Sequence, residues 1–182
     1  ADAAIINGGG LRTSIKKGPV TVGSIYSVMP FNNYIVGIRL TGQQIRDTLE
    51  YGLSGIESKE GRFPQVAGIA VTYSPGGEPG KRVRTIHVAG EPIDLSRRYI
   101  VATVDFLAAG GDGYQVFREA IRQSPDFQIL GGTIKSGNLV YNDAGRWVRD
   151  AVVSEAARQK KLAPVVDGRI KAEGSGDEGP RK

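Results

Sequence analysis

The sequence predicts an α+β fold: mixed β-sheets with helices on the outside. Strand-like apolar runs and helical stripes alternate irregularly along the chain, unlike the even spacing of a βαβ array. Two β-rich runs, 68–74 and 82–90, flank the turn "PGGEPGK" and make a hairpin with a long loop. The largely apolar "RYIVATV", 98–104, fits a central strand.

The elements follow in chain order. "AAII", 3–6, is a short apolar strand that ends at "NGGG". "VTVGSIYSVMPF", 20–31, mixes apolar alternation with a turn at Pro30. "NYIVGIRL", 33–40, is a strand. Thr41 and Gln44 have the spacing of a capping box, so a helix starts there. Ile45, Leu49 and Leu53 fall at i, i+4 and i+8 and give that helix one apolar stripe.

After the hairpin and the central strand, "YQVFREAIRQS", 114–124, carries Val116, Phe117, Ala120 and Ile121 at helical spacing. Residues 142–162 read as the longest helix, with Asn142 or Asp143 as its cap and Trp147, Val148, Ala151 and Val152 on one face. Its lysines sit near the C-terminal end, where they suit the helix dipole. The segment 172–182 is Gly, charge and Pro with no large apolar residue; it is expected to be a disordered tail after one domain, 1–171.

Composition narrows the function. The chain has 182 residues, 40% of them hydrophobic, enough for a real core. No run of about 18 apolar residues exists, so no membrane-spanning helix is expected. There is no cysteine, which removes thiol catalysis and disulfides. The one histidine, His87, lies in a strand pattern, and one histidine is too few for a histidine-rich metal centre. The net charge of +5 favours anionic ligands. The basic residues are spread out and form no nucleic-acid motif, so they read as solvated faces and no nucleic-acid partner is expected.

Three stretches carry candidate chemistry. "NGGGLR", 7–12, puts an amide, three glycines and an arginine after a strand. It fits neither the phosphate-loop nor the dinucleotide spacing. It reads either as a plain glycine turn or as a loop where a ligand approaches backbone N–H groups, with Arg12 facing an anion. "MPFNN", 29–33, holds Phe31 at the mouth of a strand, as packing or as a stacking platform. "VDFLAAGGDGY", 104–114, offers Phe106 and Asp112; Asp112 either caps the next helix or accepts bonds from a vicinal diol. All three lie on loops beside strand ends, where binding groups concentrate. Taken together they suit a nucleoside: rings for the base, an amide for its edge, a carboxylate for ribose, a guanidinium for phosphate. No strong nucleophile–base set accompanies them, and a Ser–His triad would have to use His87.

At these residues the chain resembles the C-terminal domain of the 5′-nucleotidase family, whose relatives include UDP-sugar hydrolase and 2′,3′-cyclic phosphodiesterase. "NGGGLR", the run from Val20 to Ser54, "VAGIAVTYSP", "FLAAGGDGY" and, as the last strand, "APVVDGRI" at 163–170 all match in order. The resemblance implies that Phe31 and Phe106 sandwich a base, Asn7 bonds the base edge, Asp112 the ribose hydroxyls, and Arg12 the ribose or phosphate. Asn33 and the Gly68 backbone are further pocket candidates. Asn32 stands where the family often has glycine. The resemblance also implies two divalent metal ions in a separate N-terminal metallophosphatase domain, a further upstream arginine, and a large rotation between the domains. No cofactor is expected in this chain.

The expected function is therefore nucleotide or nucleoside binding for a two-domain, metal-dependent 5′-nucleotidase, this chain alone being inactive. The start at "ADAAII", with no leader, is expected for an excised piece of a periplasmic or extracellular protein. Three alternatives stand beside it. A related two-domain hydrolase would act on another ester, a free-standing nucleotide module would bind without a catalytic partner, and nonspecific polyanion binding would show steep salt dependence and no role for Phe106.

Overall fold

The computed structural model of the chain describes residues 1–174. β1 (Ala3–Asn7) leads into a 3-10 turn, Gly8–Gly10; α1 (Val22–Val28), β2 (Tyr34–Thr41) and α2 (Gly42–Leu53) follow. Then come β3 (Pro64–Ala67), β4 (Ile69–Tyr73), β5 (Val83–Val88), β6 (Glu91–Pro92) and β7 (Arg98–Val104). α3 (Asp105–Ala108) and α4 (Gln115–Arg122) flank a 3-10 turn at Gly111–Gly113. The chain continues through β8 (Gln128–Leu130), β9 (Thr133–Lys135), β10 (Leu139–Trp147), α5 (Val148–Gln159) and β11 (Ile170–Ala172). The fold is α+β with mixed sheets, as the sequence predicts.

A five-stranded sheet runs β10-β2-β7-β1-β3, so 98–104 is its central strand. β1 is parallel to β7, whereas the β1–β3, β2–β7 and β2–β10 pairs are antiparallel. A second sheet runs β11-β4-β5-β6 and contains the expected hairpin, Ile69 opposite Val88 and Val71 opposite Ile86. α2 packs on β2 and on β5, linking the two sheets. Its capping box is formed: Gln44 N donates to Thr41 Oγ1 at 3.2 Å, and Thr41 N donates to Gln44 Oε1 at 2.9 Å. Ile45, Leu49 and Leu53 are fully buried, a contribution of about 1.5–3 kcal/mol each.

A polar knot locks α2 to the second sheet. Buried Glu50 accepts Arg82 N at 2.7 Å and Val83 N at 3.0 Å. The buried Arg82 guanidinium donates to Leu53 O at 2.7 Å and Gly77 O at 3.0 Å, and pairs with Glu57. That pairing holds the Glu57 carboxyl below its ordinary value.

Four local expectations are corrected. Within 20–31 the alternation is not a strand: Thr21 and Ser24 form a capping box and start α1, which buries Ile25 and leaves Val20 and Val22 exposed. The helix read at 142–162 starts only at Val148, because Leu139–Trp147 pairs with β2 through irregular register. Asn142 and Asp143 are therefore strand residues, and Ala151 and Val152 are exposed. In 163–170 only Ile170 is in a strand, which instead extends to Ala172. Glu173 N donates to Tyr73 O at 2.8 Å, so ordered structure passes the expected domain end; most of the expected tail, 175–182, lies outside the described residues.

Candidate functional site

Strand direction gathers the candidate residues. Because β1 and β7 are parallel, their C-terminal ends, at Asn7 and Val104, point the same way. β2 and β3 run antiparallel to these neighbours, so their N-terminal ends, at Tyr34 and Pro64, lie at that same end. The loops carrying Arg12, Phe31, Asn33, Gly61, Phe106 and Asp112 thus converge on one end of one sheet. There they line a cleft of about 250 Å³ together with Asn7, Gly9 and Gly10.

Asn7 forms the floor. It is buried, and its Nδ2 donates to Asp112 Oδ2 at 2.6 Å. A carboxylate only accepts, so the NH₂ of the amide faces Asp112 and Oδ1 faces away. Phe31 and Phe106 form the walls. They are 48% and 42% exposed, and no ring contact joins them. Two half-exposed aromatic residues lining one cleft offer apolar surface to a flat ligand. Arg12 stands at the rim: its backbone N donates to Val28 O at 2.8 Å, and its Nη1 donates to Gly9 O at 3.2 Å. Among the described residues it has no acidic partner.

The glycines act differently in the two loops. At Gly8–Gly10 none has a positive φ. Gly8 N and Gly9 N are spent on Phe63 O and Gly61 O, both at 2.7 Å, so they do not form the ligand-facing amide cradle read from "NGGG". Their role is close approach: a Cβ on Gly9 would lie 3.0 Å from Gly61 Cα. In the second loop Gly110, Asp112 and Gly113 all have positive φ. Asp112 holds its left-handed backbone with its carbonyl bonded by Tyr51 Oη at 2.8 Å, a conformation that Asp tolerates better than most residues. Gly111 lets the Phe106 ring lie flat on the backbone, since a Cβ there would meet ring carbons at 2.5–2.6 Å. Buried Tyr114 follows, stacked on Phe117 and bonded to Arg62 O; burial pushes its phenol above the ordinary range. Asp112 does not cap α4, whose N-cap is Tyr114 without a side-chain bond.

Of the seven residues named from the sequence, Gly68 does not line the cleft. It follows Ala67, which pairs beside Ala3, at the opposite end of β1 from Asn7. That is about 13 Å away at ~3.3 Å per residue. Its φ of +69° and a Cβ position 2.6 Å from Asp2 O make it a tight-turn glycine. Gly61 takes the place at the cleft that sequence reading gave to Gly68. A larger groove of about 510 Å³ lies between β3 and 165–170, but its walls are mostly aliphatic and its Arg169 is already paired with Asp167.

The sequence profile of the family described as 5′-nucleotidase, C-terminal domain, matches residues 1–119. The chain belongs to the 5′-nucleotidase C-terminal domain family. Over 181 residues it is 39% identical to a trifunctional nucleotide phosphoesterase protein of Bacillus subtilis, covering 94% of this chain and 11% of that protein. It is 28% identical over 178 residues to human 5′-nucleotidase, covering 92% of this chain and 28% of that protein. The crystal structure of a 5′-nucleotidase precursor from Thermus thermophilus superposes with a TM-score of 0.78 at 32% identity, covering 96% of this chain and 32% of that one. The chain thus spans less than a third of each of these relatives.

Two features of this family member escaped sequence reading. Gly61 gave no signal except its place before a strand. Arg149, 118 positions from Phe31, gave none: it reads as one more charge on a helix, yet it is buried and donates to the carbonyl of Phe31. Among the described residues no group of three or more His, Cys, Asp or Glu is placed to hold a metal ion. Among the same residues no helix is long and apolar enough to cross a membrane.

Proposed function

We propose that this chain is the nucleotide-holding domain of a two-domain 5′-nucleotidase, a hydrolase of nucleotide catabolism working in the periplasm or outside the cell. The observation that carries the reading is the pair of half-exposed aromatic residues, Phe31 and Phe106, lining one cleft with the hydrogen-bonded pair Asn7 and Asp112. A nucleobase fits between such rings, and stacking is worth about 1–3 kcal/mol per base. Asp112 accepts from the ribose hydroxyls through the lone pairs that Asn7 leaves free. Asn7 Oδ1 accepts from the base edge, and Arg12 meets ribose or phosphate.

In this reading the chain binds and orients, and holds the ester where a metallophosphatase domain of the same protein, with its two divalent metals, performs the hydrolysis. Alone it hydrolyses nothing; metal-dependent AMP hydrolysis by this chain, lost in Asp112→Ala, would refute that. The test of binding is a calorimetric titration with adenosine, AMP and UDP-glucose, repeated on Phe106→Ala. Saturable binding that the substitution weakens on the order of tenfold or more supports the nucleoside clamp. Binding with steep salt dependence and no effect of Phe106→Ala would leave only polyanion attraction.

A further inference from the structure

We propose that Arg149 is the positioning residue of the aromatic clamp, fixing Phe31 opposite Phe106 from a distant helix; this rests on the nucleoside reading above. Phe31 lies in the loop between α1 and β2, and because the residue is 48% exposed, packing alone does not hold it. The start of α5 grips this loop along its length. Arg149 Nη1 donates to Pro30 O at 3.3 Å and reaches Phe31 O at 3.5 Å. Its Nη2 donates to Asn32 Oδ1, and Val148 N donates to Asn33 O at 3.0 Å. The Asn32 side chain thus supplies an acceptor for this grip.

The guanidinium is itself fixed. Arg149 is 6% exposed, and its guanidinium carbon lies 4.3 Å from the Tyr26 ring centroid and 4.4 Å from that of Trp147. A cation held by two rings, its two terminal nitrogens facing three acceptors while Nε has no partner, is a planar, preorganised fork. A lysine provides neither the fork nor the stack. Phe106 is seated by Gly111 of its own loop, whereas Phe31 is held from α5 by Arg149.

The test compares the chain with its Arg149→Met, Arg149→Lys, Phe31→Ala and Arg149→Met/Phe31→Ala variants by adenosine and ribose 5-phosphate titration. Backbone ¹⁵N relaxation is measured on the unliganded proteins. Arg149→Met is expected to weaken adenosine on the order of tenfold, with no further loss when Phe31 is already alanine, and to leave ribose 5-phosphate, which has no base, unchanged. Losses that add in the double variant, or an equal loss for ribose 5-phosphate, overturn the proposal. If Arg149→Met does not fold, Arg149→Lys takes its place. If the unaltered chain binds no adenosine, the nucleoside reading falls and relaxation alone decides on Arg149. Lowered order at 30–33 in Arg149→Lys, with 110–113 unchanged, supports the positioning role; unchanged order at 30–33 overturns it.

Discussion

The carboxamide of Asn7 donates to Asp112 Oδ2 at 2.6 Å, joining residues 105 positions apart at the floor of the cleft. One hydrogen bond therefore sets two jobs. It turns the acceptor end of Asn7 away from Asp112, and it holds a carboxylate on a loop with left-handed backbone.

Asn7→Ala removes a donor from a charged acceptor, a loss of about 1.5 kcal/mol because Asp112 is exposed. The melting temperature should fall by a few degrees, about 4 °C for that loss. Adenosine affinity should fall as well. Unchanged affinity in a folded Asn7→Ala chain would remove Asn7 from the ligand site.

Gly111→Ala tests the seat of Phe106. The φ of Gly111 is not in the left-handed region, so alanine meets no conformational penalty there. The penalty is space: the new Cβ would sit 2.5–2.6 Å from the Phe106 ring. The exposed ring can swing away, so stability should change little while nucleoside affinity falls nearly as far as in Phe106→Ala. Gly113→Ala should behave oppositely. It meets Tyr51 Oη at 1.8 Å with φ +83°, and should cost stability first. Thermal melts beside titrations separate the two.

Glu50→Ala tests the knot between α2 and β5. Two buried backbone donors, Arg82 N and Val83 N, lose their acceptor. The expected cost is about 3 kcal/mol, read as a lower urea midpoint with unchanged slope. Because no residue of the knot lines the cleft, affinity at low temperature should hold.

Acid should loosen the C-terminal strand. Hydrogen bonds from Arg169 lower the Asp167 carboxyl from 3.8 to about 2. Arg169 also donates to Val66 O at 3.0 Å, tying 167–169 to β3. A carboxyl with a depressed folded value stabilises above its unfolded value, and that contribution is lost as pH falls through about 2. An NMR titration should find Asp167 protonating well below free aspartate, with amide exchange at Ile170–Ala172 rising in step. An Asp167 titrating near 3.8 would contradict the pairing.

Legibility followed the range of the forces. The α2 capping box, its Ile45–Leu49–Leu53 stripe and the β4–β5 hairpin were readable because each depends on residues close in sequence. Short-range pattern also misled: Thr21 caps a helix inside an alternating run, and Asn142 looks like a cap but lies in a strand paired to β2. At Thr21 a local capping box outweighed the alternation, and at Asn142 pairing with a distant strand overrode the cap-like residue type.

By itself the sequence determined the α+β class, the central strand and the chemical kinds of group at the cleft, because periodicity and residue type are local properties. Tertiary structure decided which of those groups meet. Strand direction brought Asn7, Phe31, Phe106 and Asp112 to one sheet end and sent Gly68 to the other. Packing closed the Arg149 grip on Phe31 across 118 positions. Residues so far apart in the chain become neighbours only when the strands between them have paired, and no local pattern records that pairing.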